Sequence, residues 1–194
     1  MAKKKRSTSQ KTIKKPKSIK LSSQQKLVFG SFLMILGVLL FISMLSYLFT
    51  GKVDQSIISE FPSRDQEAQN WISLIGAEVS HFFIYKGFGM PSFIFSGLLF
   101  LSGVYVAFGL NKTKLRVHWI WGTLIVVWLS VLMGFFTHKY NVLGGVIGFE
   151  INHFLCDYIG TIGVSLLLLF GLITYLALRF KLTATDITES FKKA

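Results

Sequence analysis

The sequence predicts an all-α integral membrane protein, with four transmembrane helices arranged as two tandem helical hairpins, each carrying a short outer interfacial or re-entrant helix. Three observations predict this. Of the 194 residues, 52% are hydrophobic and 15% charged, less charge than a soluble domain of that length carries. Four windows, residues 27–49, 91–110, 117–137 and 159–178, contain no Asp, Glu, Lys or Arg and match the roughly 20 apolar residues that cross a bilayer. The motif Ile-Gly-x-Glu-x-x-His-Phe occurs twice, at Ile75–Phe82 and Ile147–Phe154, each time ahead of an apolar stretch. A repeat of that kind marks a duplicated unit.

Residues 1–26 form a basic tail with Lys3, Lys4, Lys5, Arg6, Lys11, Lys14, Lys15, Lys17 and Lys20. They lack apolar periodicity, which predicts disorder on the cytoplasmic side. The tail reads as a solvated topology signal. It also suits anionic lipid headgroups, at about 1 kcal/mol per basic residue near the surface, or DNA phosphates. The tail, the connection 111–116 and the segment from Arg179 hold seventeen of the 21 Lys/Arg; Lys52, Arg64, Lys86 and Lys139 are the other four. That bias puts both termini and the middle connection in the cytoplasm. Thr50-Gly51-Lys52-Val53 after the first span is not a small-x-small cleavage site, so the span is retained as a helix. Cys156 is the only cysteine, which leaves no internal disulfide.

The first span leads into a polar outer connection, residues 50–69, containing Phe61-Pro62-Ser63. An outer helix over 70–86 follows, with Trp71, Ile72, Leu74, Ile75, Val79, Phe82 and Phe83 near helical spacing and Asn70 as its N-cap. Gly87-Phe88-Gly89-Met90-Pro91 breaks that helix, and Pro91 suits the first turn of the second span. In the second half, His138–Asn141 and Gly144–Gly148 lead into an outer helix over 144–158, and Gly160-Thr161-Ile162-Gly163 precedes the fourth span. The two halves are offset by 72 residues at the motif and 74 at Gly97/Gly171, which predicts a longer second glycine turn. Both halves run in the same direction. The membrane domain then covers 27–180, and 181–194 begin a cytoplasmic linker. There Asp186-Ile187-Thr188-Glu189 has capping-box spacing, so a further helix is expected to start close to Ala194.

Glu78 and His81 are three residues apart, as are Glu150 and His153, placing each pair on one helix face. Glu-x-x-His is a ligand spacing of di-iron carboxylate bundles, but the first and third spans hold no carboxylate to complete one. Zinc held by two Glu and two His would require the motif helices to meet. The plainer reading is polar capping at the wet edge of the bilayer, without metal. Ser92/Ser96, Gly103/Ala107 and Gly144/Gly148, with Gly97 nearby, have the small-xxx-small spacing of close helix packing in lipid. Trp71, Trp119, Trp121, Tyr47, Tyr85 and Tyr140 lie near span ends as interfacial belts, whereas Trp128 is mid-span and packs between helices. There is no Gly-x-x-x-x-Gly-Lys-Ser/Thr: Gly51-Lys52 continues with Val53. No Gly-x-Ser-x-Gly turn is present either. No catalytic or cofactor-binding residue is expected in this segment.

The basic start, the four spans and the ordered set of glycine turns resemble the N-terminal membrane domain of FtsK/SpoIIIE-type bacterial DNA translocases. The resemblance rests on Asn70-Trp71-Ile72-Ser73-Leu74-Ile75-Gly76-Ala77, on Gly87-Phe88-Gly89 leading into Pro91-Ser92-Phe93, and on Gly144–Gly148 and Gly160–Gly163, across roughly residues 20–182. It implies a membrane anchor that recruits and assembles a DNA-pumping motor at the division septum. It further implies a homo-oligomer in the bacterial inner membrane, both termini cytoplasmic, in contact with the lipid bilayer and other division proteins. DNA contact, ATP and Mg would belong to the motor, whose phosphate-binding loop has no counterpart in these residues. A small transporter or channel of parallel two-helix repeats is the alternative, followed by a membrane metalloprotein using the Glu-x-x-His pairs.

Overall fold

The computed structural model describes residues 22–59, 68–137 and 142–181. The basic residues Lys3 to Lys20, Phe61-Pro62-Ser63, His138–Asn141 and the Asp186–Glu189 capping box lie outside the described residues. Among the described residues five α-helices run in order: α1 Ser23–Ser59, α2 Ser73–Ser80, α3 Phe93–Ala107, α4 Lys112–Gly134 and α5 Gly145–Phe180. A π-helix, His81–Phe88, continues α2, and a 3₁₀ turn, Met90–Ser92, opens α3. Four of these segments are long and apolar enough to cross a membrane: Ser23–Gln55, Met90–Ala107, Lys112–Gly134 and Gly145–Phe180.

The helix ends follow local chemistry. Ser22 and Gln25 form a capping box, Gln25 N–H donating to Ser22 Oγ at 3.2 Å and Ser22 N–H to Gln25 Oε1 at 2.9 Å. The first helix therefore starts earlier than its apolar run. It also continues past Phe49 to Ser59, where a polar connection was expected from Thr50. Buried Asp54 explains part of this: its carboxylate accepts from Thr50 Oγ1 and from the Gln69 N–H, each at 2.7 Å. The helix thus ties down the returning chain. Asn111 caps α4, its Oδ1 accepting from Thr113 N–H at 2.9 Å, so α4 begins at Lys112 rather than near Val117. Asn70 is not the N-cap of α2, a position Ile72 takes. Its Oδ1 instead accepts from Ile72 N–H at 3.0 Å while its Nδ2 donates to Ser43 O at 3.0 Å.

Helix α1 packs on α3, α3 on α4, and α4 on α5. In lipid, where tails are as apolar as side chains, such contacts depend on close backbone approach. A Cβ at Gly30 would stand 2.6 Å from Gly103 O, and one at Gly103 would stand 2.6 Å from Gly30 O. Across the other pair, a Cβ at Gly134 would meet Gly148 O at 2.6 Å. Gly97, grouped with the packing residues by spacing, has nothing within 4 Å. It faces outward, because its neighbours Ser96 and Leu98 are the ones turned inward.

The two units join at their glycine turns. A Cβ at Gly89 would run into Leu143 O, and one at Gly145 into Gly87 O. The Met90 N–H donates to Val142 O and Leu143 O, both at 3.0 Å, so the broken backbone of the first turn is satisfied by the second. Irregular backbone needs this satisfaction at membrane depth. Both motif helices end at a glycine of positive φ, Gly89 (φ 72, ψ −148) and Gly160 (φ 71, ψ 165). The offset between these glycines is 71 rather than 72. The first unit thus has one residue more between motif and break, and the second has three more between break and the Gly97/Gly171 position. The π-helix absorbs the first unit's extra residue, since i→i+5 bonds wind more residues into each turn.

Candidate functional site

The two copies of the motif occupy different environments. In the first, His81 is 6% exposed and its Nδ1 lies 3.0 Å from the Tyr47 hydroxyl of α1. Tyr85, one turn on, stacks on the imidazole at 4.9 Å and 16°. Burial, and secondarily the Lys86 ammonium, hold the imidazole below its usual titration range. A neutral His81 can accept the phenolic O–H at Nδ1. Glu78 is exposed, so the pair does not share one environment despite its helical spacing.

In the second copy the counterpart His153 is exposed, and its Nδ1 faces Asp157 at 3.2 Å with side chains 57% and 64% exposed. Glu150 is exposed as well. A pair this open to solvent contributes little to stability. Although the motif helices meet through the glycine turns, they do not bring Glu78, His81, Glu150 and His153 into one cluster. Among the described residues no group of three or more His, Cys, Asp or Glu is arranged to hold a metal.

Small polar residues tie each motif helix inward, and three of them, Ser43 on α1, Ser130 on α4 and Asn152, had no mark in the sequence. Ser43 Oγ donates to Gly76 O, and Ser130 Oγ donates to Gly144 O, both at 2.6 Å. Asn152, at the position of Ser80 in the first copy, donates from Nδ2 to Val131 O at 3.0 Å. In the first unit Asn70 makes the corresponding bond, to Ser43 O, and sits 3.5 Å from Ser80 Oγ. The two units thus reach one solution with residues from different positions. Ser92 and Ser96, both buried, donate to Phe83 O and Phe93 O at 2.6 Å. Gly103 and Ala107 lie against Gly30 of α1, and Gly144 and Gly148 against Ser130 of α4. No described buried side-chain N or O lacks a partner. Ser43, Asn70, Ser92, Ser130 and Asn152 tie one segment to another, whereas Ser96 bonds within α3. The Gly30/Gly37 pair, seven residues apart on α1, was the readable signal for the face that α3 covers.

A family model described as the 4TM region of DNA translocase FtsK/SpoIIIE matches residues 23–192, a span that takes in every helix from α1 to α5. The chain belongs to this family. Comparison with curated proteins and with solved structures finds no match. As an FtsK/SpoIIIE four-span region, it is a membrane-anchoring domain and a multi-pass inner-membrane segment. The Tyr47–His81–Tyr85 cluster then reads as part of the anchor's framework, joining α1 to the first motif helix.

Proposed function

We propose that this segment recruits and assembles the translocase at the division septum, holding its motor at the inner membrane during chromosome segregation. The observation that carries the proposal is the family match over residues 23–192. Charge placement supports an orientation with both termini cytoplasmic. Lys26, Lys112, Lys114, Arg116, Arg179 and Lys181 lie at the end of the bundle where α1 starts and α5 finishes, whereas the described carboxylates, Asp54, Glu78, Glu150 and Asp157, lie toward the motif helices with Lys52 and Lys86 as the described cations on that side. The action is mechanical. A homo-oligomer of anchors raises the local concentration of the motors tethered to it. ATP, Mg and DNA belong to that motor, and other division proteins are the proposed membrane partners.

The test is to express residues 1–194 fused to a fluorescent protein in dividing bacteria. A midcell band is expected; uniform membrane fluorescence at all division stages would overturn septal recruitment. Terminal reporters should be active only in the cytoplasm. Purified protein in liposomes should carry no proton, metal or solute flux, and measurable flux would favour a transporter instead.

A further inference from the structure

We propose that the cleft between α4 and α5 binds an anionic phospholipid, one acyl chain lying in the cleft and the phosphate meeting Lys114 and Arg179. The cleft has a volume of about 530 Å³ and is open along one side. Trp128 is its floor, fixed by an Nε1–H bond to Leu168 O at 2.9 Å. That bond satisfies the indole, so the floor presents hydrocarbon alone. Opposite it, Gly171 leaves room: a Cβ there would come no closer than 3.5 Å to the indole. No titratable side chain except the Tyr175 phenol lines the cleft.

On α4 the lining runs from Trp121 to Val131, about 15 Å at the α-helical rise, and on α5 from Leu155 past the Gly160 break to Leu178. The stretch walled by both helices is therefore about half of a hydrocarbon core roughly 30 Å thick, the reach of an acyl chain within one leaflet. Val131 and Leu155 pack in one cluster at the end toward the motif helix. The mouth, toward the start of α4 and the finish of α5, is marked by Trp121 and Tyr175, edge to face at 5.1 Å, the aromatic pairing expected at headgroup level.

Charge names the headgroup. Lys114 lies seven residues before Trp121 on α4, and Arg179 four residues after Tyr175 on α5. These spacings carry both cations past the mouth on the cleft-lining stripes. Among the described residues no carboxylate is paired with either. Basic pockets between membrane helices recognise anionic headgroups in this manner. The inference concerns lipid alone, so its failure would leave the anchoring reading intact.

Tryptophan quenching tests it on the full chain carrying Trp71→Phe and Trp119→Phe, which leaves Trp121 and Trp128 as reporters. The vesicles are phosphatidylcholine with a minor fraction of brominated-chain phosphatidylglycerol or, in parallel, brominated-chain phosphatidylcholine. Stronger quenching by the anionic lipid is expected. Lys114→Gln with Arg179→Gln should weaken that preference about 30-fold, and Gly171→Leu should remove the excess quenching while leaving the charges in place. Thermal unfolding of each variant checks the fold. Equal quenching by the two lipids overturns the site. So does a preference that survives the double charge variant, or one lost only when the lysines of residues 1–20 are neutralised.

Discussion

The Tyr47 hydroxyl and His81 Nδ1, 3.0 Å apart, join α1 to the first motif helix across an interface that the second copy of the motif does not reproduce. His153 has the same sequence context and faces solvent beside Asp157. His81→Ala should therefore lower stability by about 1–3 kcal/mol through the unpartnered Tyr47 hydroxyl alone, with a further loss from the cavity. His153→Ala should stay within about 0.5 kcal/mol of the parent. Thermal unfolding in detergent of both variants checks this, and equal losses would contradict the asymmetry.

Acid should weaken the fold through His81. Its folded-state pKa is depressed by burial and then by Lys86, so the unfolded chain, with an imidazole near 6.5, takes up the proton first. Stability is then full above about pH 6.5 and falls as pH drops through that value toward the folded pKa. The groups facing the ring are Tyr47 from α1, Tyr85 stacked on it and Lys86 beyond; none is a carboxylate. Midpoints measured at pH 7.5 and pH 5 for the parent and for His81→Gln should differ more in the parent. An identical drop in both would assign the acid sensitivity elsewhere.

The glycines divide into those that join the units and those that do not. Gly89→Ala meets both a positive φ of 72° and the Leu143 carbonyl, so a loss of at least about 1–3 kcal/mol is expected from the backbone alone. Gly97→Ala has open space around its Cβ and should stabilise α3 by roughly 0.5–1 kcal/mol through helix propensity. Unfolding midpoints of the two variants should move in opposite directions.

Asp54→Ala removes the acceptor for both Thr50 Oγ1 and the Gln69 N–H. The loss should be about 1–3 kcal/mol. Hydrogen exchange at the Gln69 amide should accelerate in that variant well beyond the change at Leu98 in α3. Unchanged Gln69 exchange would show that Asp54 does not tie the returning chain to α1.

The duplicated motif was legible in the sequence, but the roles of its residues were not. Glu78/His81 and Glu150/His153 have identical spacing. One imidazole is buried and the other solvated because α1 offers Tyr47 at the first, whereas the second lies on the open flank of α5. Buried Ser43, Ser130 and Asn152 went unmarked because serine and asparagine also suit loops and span ends. Only a neighbouring backbone carbonyl turns them into ties. The end of α1 was misplaced for a related reason: Thr50 and Asp54 read as polar connection until the folded chain supplies Gln69 as a partner.

By itself the sequence determined four apolar segments, a motif repeated ahead of two of them, and a bias of seventeen of the 21 cations toward the two ends of the chain and the connection 111–116. Hydrophobic run length, charge placement and internal repetition survive any arrangement of the helices. The tertiary structure decided which glycines touch, which histidine is buried, and where the extra residue of the first unit is stored. Those depend on distances between segments: the contact of Gly89 and Gly145, the reach from Tyr47 to His81, and a π-helix that takes up one residue so that both glycine turns can interlock.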